Sequence, residues 1–249
     1  ASFLFGGLVF REQAVKAAVA ESNGSVLMIA VFGFVIPTLY HMAGSSGFSR
    51  DSAEKVSLVT SVCLLSLYGL YLLYQLYTHA DLYEDDDDEE EEDEGPVATL
   101  QVAIGILFVS CLLVSKCSDY LVESVDGFSK AVGMNQAFVS LILLPIVGNA
   151  AEHMSAVSVA MKDKMDLSIG IAVGSSVQIA VFVAPFMVVV SWLFGFQHLT
   201  LDFEVFSTTC VVLSVLLVNT TLRDLSTNWL EGAVLLAGYV MVAGAVAYL

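Results

Sequence analysis

Leu144-Pro145-Ile146-Val147-Gly148-Asn149-Ala150-Ala151-Glu152-His153 sits in the middle of an apolar stretch, residues 135–161, that is long enough to cross a bilayer. Pro145 lacks a backbone donor, and its ring clashes with the carbonyl of Leu141 in a regular helix. Pro145 and Gly148 therefore mark an expected kink or break at mid-membrane. A break at that depth is costly unless the freed carbonyls find a ligand, and secondary transporters use this arrangement to bind ions. Asn149 and Glu152 are three residues apart and share one helical face, which Ser155 extends by a turn. An amide oxygen, a carboxylate and freed carbonyls are hard donors, of which calcium takes about six to eight at ~2.3–2.6 Å. No second His or Cys is placed to favour zinc or copper.

A structural ion pair would be the plain explanation for a carboxylate in mid-helix. Lys162 and Lys164 lie beyond the end of the span, however, and no other Lys or Arg falls at mid-depth in any span. Glu152 is thus expected to be buried, and to hold a proton when no ion neutralises it. A proton or a divalent cation can cancel its charge, but not readily both. The empty anionic site resists occlusion because of its desolvation cost. Competition at one carboxylate is sufficient for antiport. His153 points about 100° away around the helix and reads either as a proton sensor or as a hydrogen-bonded core histidine. The next span carries Gly170, Gly174-Ser175-Ser176-Val177-Gln178 and Pro185. Its small residues permit close helix approach, and Ser175 and Gln178 are the better candidates there to line an ion path. Packing between helices is the alternative role for this polar cluster.

The rest of the chain reads as membrane protein. Of 249 residues, 57% are hydrophobic and 14% charged, too oily a balance for a soluble domain of this size. Full spans are expected at 25–43, 55–78, 97–117, 135–161, 167–196, 203–221 and 228–249, with a half-length stub at 1–10. The stub has no basic leader and reads as the tail of a helix. The fold class is all-α, a polytopic transmembrane helical bundle, since helices satisfy their own backbone in lipid and no barrel alternation is present. The net charge of −17 is concentrated in an unbroken run of eleven acids, 84–94. Without that run fifteen acids face nine Lys and Arg, a balance of −6. Nothing is basic enough to hold nucleic acid.

The run must sit in water and is expected to be extended or fluctuating by self-repulsion. Asp85, Asp86, Asp87, Asp88, Glu89, Glu90, Glu91 and Glu92 read either as a solvated linker or as a weak regulatory cation site. Five Lys and Arg fall on the side of this run and four on the other, too small a bias to orient the chain. Two sequons, at Asn23 and Asn219, fall on the acidic-run side. Cys63, Cys111, Cys117 and Cys210 show no metal spacing and are expected to pack as small apolar residues.

The decapeptide at 144–153 resembles the second signature repeat of the cation/proton exchangers of the calcium/cation antiporter superfamily. The likeness continues in Gly174-Ser175-Ser176-Val177-Gln178-Ile179-Ala180 and Asn228-Trp229-Leu230-Glu231-Gly232, and Arg11-Glu12-Gln13 is similar too. The resemblance implies an inverted-repeat antiporter fold of two five-helix repeats joined by an acidic cytosolic segment. On that scheme residues 1–82 are the end of a first repeat, 83–96 the acidic segment and 97–249 a complete second repeat. Glu152 and Asn149 would be the ion (metal) ligands, with Ser175 and Gln178 on the companion helix. The implied activity is exchange of calcium, with manganese as a second cargo, for protons across a vacuolar or other endomembrane. Calcium and protons are then cargo, and no cofactor is implied.

The first signature helix would lie upstream of Ala1, so the first repeat is incomplete here. Its helices are expected in the same longer chain or in a separate one. A homo-oligomer stays open, although a second copy could replace the missing half only by flipping. Three other readings compete. A sodium-coupled exchanger shares the ligand chemistry. A non-transporting membrane subunit or calcium sensor could act through the acidic run. An intramembrane hydrolase would use Glu152 and His153, but it lacks a second metal-binding His, a nucleophile–base pair and an oxyanion site.

Overall fold

The computed structural model describes residues 1–43, 50–83, 99–195 and 199–248. The acidic run, with the candidate cation-binding residues 85–92, lies outside the described residues. In chain order the elements are α1 (Ser2–Val9), β1 (Gln13–Ala14), α2 (Ala17–Ala43) and α3 (Arg50–Leu73). Then come α4 (Leu100–Val132), α5 (Gln136–Gly148), α6 (Ala150–Ala160) and α7 (Met165–Phe194). The last three are α8 (Val205–Thr221), β2 (Ser226–Thr227) and α9 (Trp229–Ala247). Among the described residues five helices are long and apolar enough to cross a membrane: α2, α3 with its continuation to Thr78, α4, α7 and α9. A sixth is added if α5 and α6 form one bent span, and α8, with 17 residues, is shorter but equally apolar.

The prolines of α5 and α7 are accommodated by widened turns. In α5 the Leu144 N–H donates to the Val139 carbonyl, five residues back, and in α7 the Ala184 N–H reaches Ile179 in the same way. Each wide turn immediately precedes a proline, Pro145 or Pro185, and opens space where a regular turn would meet the ring. The helix consequently runs through Pro145 and ends at Gly148. Of the two residues expected to mark the kink or break, Pro145 is thus carried within the helix and the break falls after Gly148, at Asn149.

The helix α4 runs on past the expected span, 97–117, to Val132. Its polar half is an exposed helical face laced by Lys116–Asp119 (3.5 Å) and Lys130–Asp126 (2.6 Å) pairs. Gly133 closes the helix at φ 70°, where a left-handed residue is needed. The Asn135 carboxamide oxygen then accepts from the Ala137 N–H at 2.8 Å and starts α5. Cys63, Cys111 and Cys117 are exposed, not packed inward as their apolar surroundings suggested.

Two compact units divide the chain. One holds residues 1–83 and 151–239, the other 84–150 and 240–249. The first unit is built on α2, which packs against α3, α7 and α8, while α3 also lies along α7. Its larger core joins Leu27, Ala30, Phe34, Leu64, Val177, Val181 and Val215. Tyr68 stacks on Phe182 at 5.0 Å, and Phe34 meets Phe203 edge-on at 5.3 Å. A smaller core collects Phe3, Val15, Val19, Ala160, Met165, Ile169 and Leu222 around the β1–β2 pair. Near that end the Tyr83 hydroxyl donates to Ser22 Oγ at 2.7 Å, which ties the residue before the acidic run to the start of α2. Burial pushes the Tyr83 hydroxyl up from its ordinary value.

Two features of this unit make direct predictions. A Cβ on Gly232 would collide with the backbone of Leu4, and one on Gly7 would lie 2.7 Å from Trp229 Cα. Backbone cannot step aside as a side chain end can. Gly232→Val is therefore expected to destabilise the protein by about 1–3 kcal/mol or more, the cost of overpacking, read as a lowered melting temperature in detergent. Gly244→Val, where a Cβ meets open space, should leave it nearly unchanged.

Asn23, the acceptor of the first sequon, is only 2% exposed. Its amide donates to the Val19 carbonyl at 2.9 Å and its oxygen accepts from the Tyr71 hydroxyl at 2.9 Å. Asn219 donates to the Gly24 carbonyl at 3.3 Å. Both sequons thus stitch helices together, and glycosidase treatment of protein made in eukaryotic cells should produce no mobility shift. A shift abolished by Asn23→Gln or Asn219→Gln would contradict this packing.

Candidate functional site: a broken helix with a carboxylate in its first turn

Asn149 separates α5 from α6 and breaks the apolar stretch in two. Its backbone lies at φ −101° and ψ 22°, outside the helical range, while its N–H still donates to the Pro145 carbonyl at 3.0 Å. Gly148 supplies the last helical residue before the break, with open space around its α-carbon. A break of this kind creates two helix ends at one place. The C-terminal end of α5 offers carbonyls that favour a cation, and the N-terminal end of α6 offers N–H groups that favour an anion.

Glu152 occupies the first turn of α6. Its side chain is exposed, as are those of Asn149, Ala150, Ala151, His153, Met154 and Ser155. The expectation of a buried carboxylate is therefore not met within the described residues. Glu152 also makes no hydrogen bond or ion pair among them, and neither does the side chain of Asn149 or His153. No group of three His, Cys, Asp or Glu able to hold a metal occurs among the described residues. The six to eight oxygens of a calcium shell are thus not assembled by these residues alone.

On α7, Ser175 is half-buried and Gln178 and Ser176 are exposed. The Ser175 hydroxyl donates back to the Ile171 carbonyl, and Ser176 donates to Ala172 at 3.0 Å. Both hydroxyl protons are occupied within the helix, so what these serines offer outward is oxygen lone pairs. Val177, between them and Gln178, is fully buried in the core and fixes the rotation of this face. No hydrogen bond joins Glu152 to Ser175 or Gln178. Sequence reading placed these groups on adjacent elements, and the structure keeps them there without direct contact.

At its other end α6 is held by residues whose role the spacing did not reveal. Gln13 of β1 is 2% exposed, and its Nε2 donates to the Ala160 carbonyl and to Asp163 Oδ1, each at 2.9 Å. The Lys16 N–H donates to Asp166 Oδ1 at 2.7 Å, and Ser168 Oγ donates to the Ala156 carbonyl at 2.8 Å. The partners of Gln13 are 147 and 150 residues away, so no local periodicity announces them.

Residues 102–247 match the family described as sodium/calcium exchanger protein. The chain is 38% identical over 97% of its length to a Ca(2+)/H(+) antiporter of Aphanothece halophytica, of which it covers 67%. It is 39% identical to vacuolar cation/proton exchanger 2 of Oryza sativa subsp. japonica and 41% identical to a vacuolar calcium ion transporter of Schizosaccharomyces pombe, covering 57% and 55% of those proteins. The chain thus spans between about half and two thirds of these relatives. The structure of native YfkE superposes with a TM-score of 0.78 at 33% identity, over the whole of this chain and 69% of that one. The H+/Ca2+ exchanger CAX, at 14% identity and a TM-score of 0.66, shares the fold. The chain is an integral membrane protein with the helical inverted-repeat antiporter fold, and it belongs to the sodium/calcium exchanger protein family.

Proposed function

We propose that the protein exchanges calcium for protons across a membrane, with Glu152 as the group that the two ions contest. The observation that carries this reading is the helix broken at Asn149, with a carboxylate in the first turn beyond it that has no partner among the described residues. Calcium seated at the break draws on Glu152, the Asn149 amide oxygen and the end carbonyls of α5, all hard donors. Ser175 and Gln178 contribute oxygens from α7. The remaining ligands come from first-repeat helices outside this chain, which would also cover the exposed face at 149–155. His153, next to Glu152 but turned away from its face, relays or senses the proton.

Coupling follows from charge. With a proton on Glu152, or with calcium bound there, the site carries less unbalanced charge and can be occluded from water. With neither, an anion would have to enter a low-dielectric interior. The site therefore changes sides only when loaded, and a proton gradient drives calcium the other way. Manganese, a smaller hard cation that accepts the same oxygen donors, is a second cargo.

The relatives named vacuolar support an endomembrane location. On that topology the acidic run is cytosolic, where it gathers divalent ions weakly and regulates exchange. The protein acts as a carrier, with no chemical transformation of substrate. A sodium-coupled reading shares the family description, but the relatives at 38–41% identity are named for proton exchange or calcium transport.

Three measurements in sealed vesicles test this. A pH gradient should drive calcium uptake without sodium, and Glu152→Gln should abolish it while the protein stays folded. Uptake that needs sodium would favour the rival. Asn149→Ala, which removes one uncharged ligand, should raise the KM for calcium about tenfold, equivalent to about 1.4 kcal/mol. Removing residues 84–94 should change the calcium dependence and spare exchange. A folded deletion protein without exchange would place the acidic run inside the transport path.

A further inference from the structure

We infer that Gln13 is a positioning residue for Glu152, acting through the far end of α6. This rests on the reading of Glu152 as the ion-binding carboxylate. Ala160, the last residue of α6, is fully buried, and its carbonyl is one of the groups a helix end leaves without an intrahelical partner. It accepts from the Asp163 N–H of the following turn at 3.3 Å and from Gln13 Nε2 at 2.9 Å, and the second Nε2 proton goes to Asp163 Oδ1. Asp163 holds a left-handed backbone at φ 64°, uncommon for a residue other than glycine, and the Gln13 contact is what fixes its side chain. One buried amide thus pins both the end of α6 and the reversal into α7.

Gln13 is itself immobilised. Its strand pairs Gln13 with Thr227 and Ala14 with Ser226 in antiparallel register. The Val15 N–H donates to the Leu225 carbonyl at 2.8 Å, and the Lys16 N–H reaches the first turn of α7 through Asp166. On its remaining side Gly6 leaves just enough room, because a Cβ there would collide with Gln13 Oε1 and lie 3.3 Å from the Ala160 carbonyl. The clasp therefore joins α1, the α8–α9 connection and the α6–α7 turn at one buried point.

Glu152 precedes Ala160 by eight residues on the same uninterrupted helix, a distance of about 12 Å along the axis. A helix of that length transmits displacement as a rod. Any slide or rotation at Ala160 moves the Glu152 carboxylate by a similar amount, and an ion shell at ~2.3–2.6 Å does not tolerate it. The clasp sets the depth and rotation of the carboxylate without touching the ion.

The test compares variants of the intact protein in vesicles, reading KM for calcium, kcat and the pH profile of uptake. Gln13→Glu replaces the donor by a carboxylate facing Asp163 and the Ala160 carbonyl. It is expected to raise KM about tenfold and shift the pH profile, with kcat changed by about twofold or less. Asp163→Asn keeps an acceptor and should lie near wild type, and in the Gln13→Glu background it should recover part of the lost affinity by donating to Glu at 13. Asp163→Gly keeps the backbone conformation and removes only the acceptor, so it should raise KM about threefold even if Gln13→Glu does not fold. Folded Gln13→Glu or Asp163→Gly protein with unchanged KM and pH profile overturns the proposal, as does a loss confined to protein yield. A wild-type protein that moves no calcium overturns the functional reading instead, and this proposal with it.

Discussion

Backbone polar groups inside hydrocarbon must be satisfied, and that constraint organises this protein. Seven apolar stretches meet it by forming helices, and three of them contain a proline, Pro37, Pro145 and Pro185, that would violate it. The widened turns before Pro145 and Pro185 absorb the prolines without losing the helix. Asn149 is where the ladder does end, and there the unsatisfied ends of α5 and α6 are brought together beside Glu152. In soluble protein such a break would be solvated and unremarked. On the proposed reading the break lies at mid-membrane, where an ion and the neighbouring carboxylate would satisfy it.

Much of this architecture was legible because membrane spans are written in composition. Each expected span corresponds to an observed helix or to the bent α5–α6 pair, with boundaries off by several residues. The main boundary difference, at α4, arises because the apolar run ends near Cys117 while the helix continues as a polar face on which Lys116–Asp119 and Lys130–Asp126 pair. Glu152, Asn149, Ser175 and Gln178 could be singled out because polar groups in oil are few. The break next to Asn149 was marked by Gly148, whereas the passage of the helix through Pro145 was not legible, since a wide turn is a choice made by packing and not by the local sequence. The Gln13 clasp was hidden for a different reason. A two-residue strand has no periodicity, and its contacts span about 150 positions.

The exposure of residues 149–155 follows from the same logic. One face of α6 carries the only carboxylate of the broken helix, and among the described residues it has no partner. A lone exposed carboxylate is a poor calcium site, and the family to which the chain belongs builds its proteins longer than this one. The unit containing residues 1–83 and 151–239 is nevertheless well packed, with polar links such as Tyr71–Asn23 and Gln13–Asp163 buried in its helix contacts. On the proposed reading, rigid support of α6 matters because affinity for two competing ions depends on where a single oxygen pair is held.

The central claim is that calcium and the proton contest one carboxyl group. The direct measurement is the release of protons into weakly buffered detergent solution when calcium is added to the purified intact protein. The account predicts calcium-dependent release that disappears when Glu152 is replaced by Gln. Calcium binding without release, or release that survives the replacement, would contradict it.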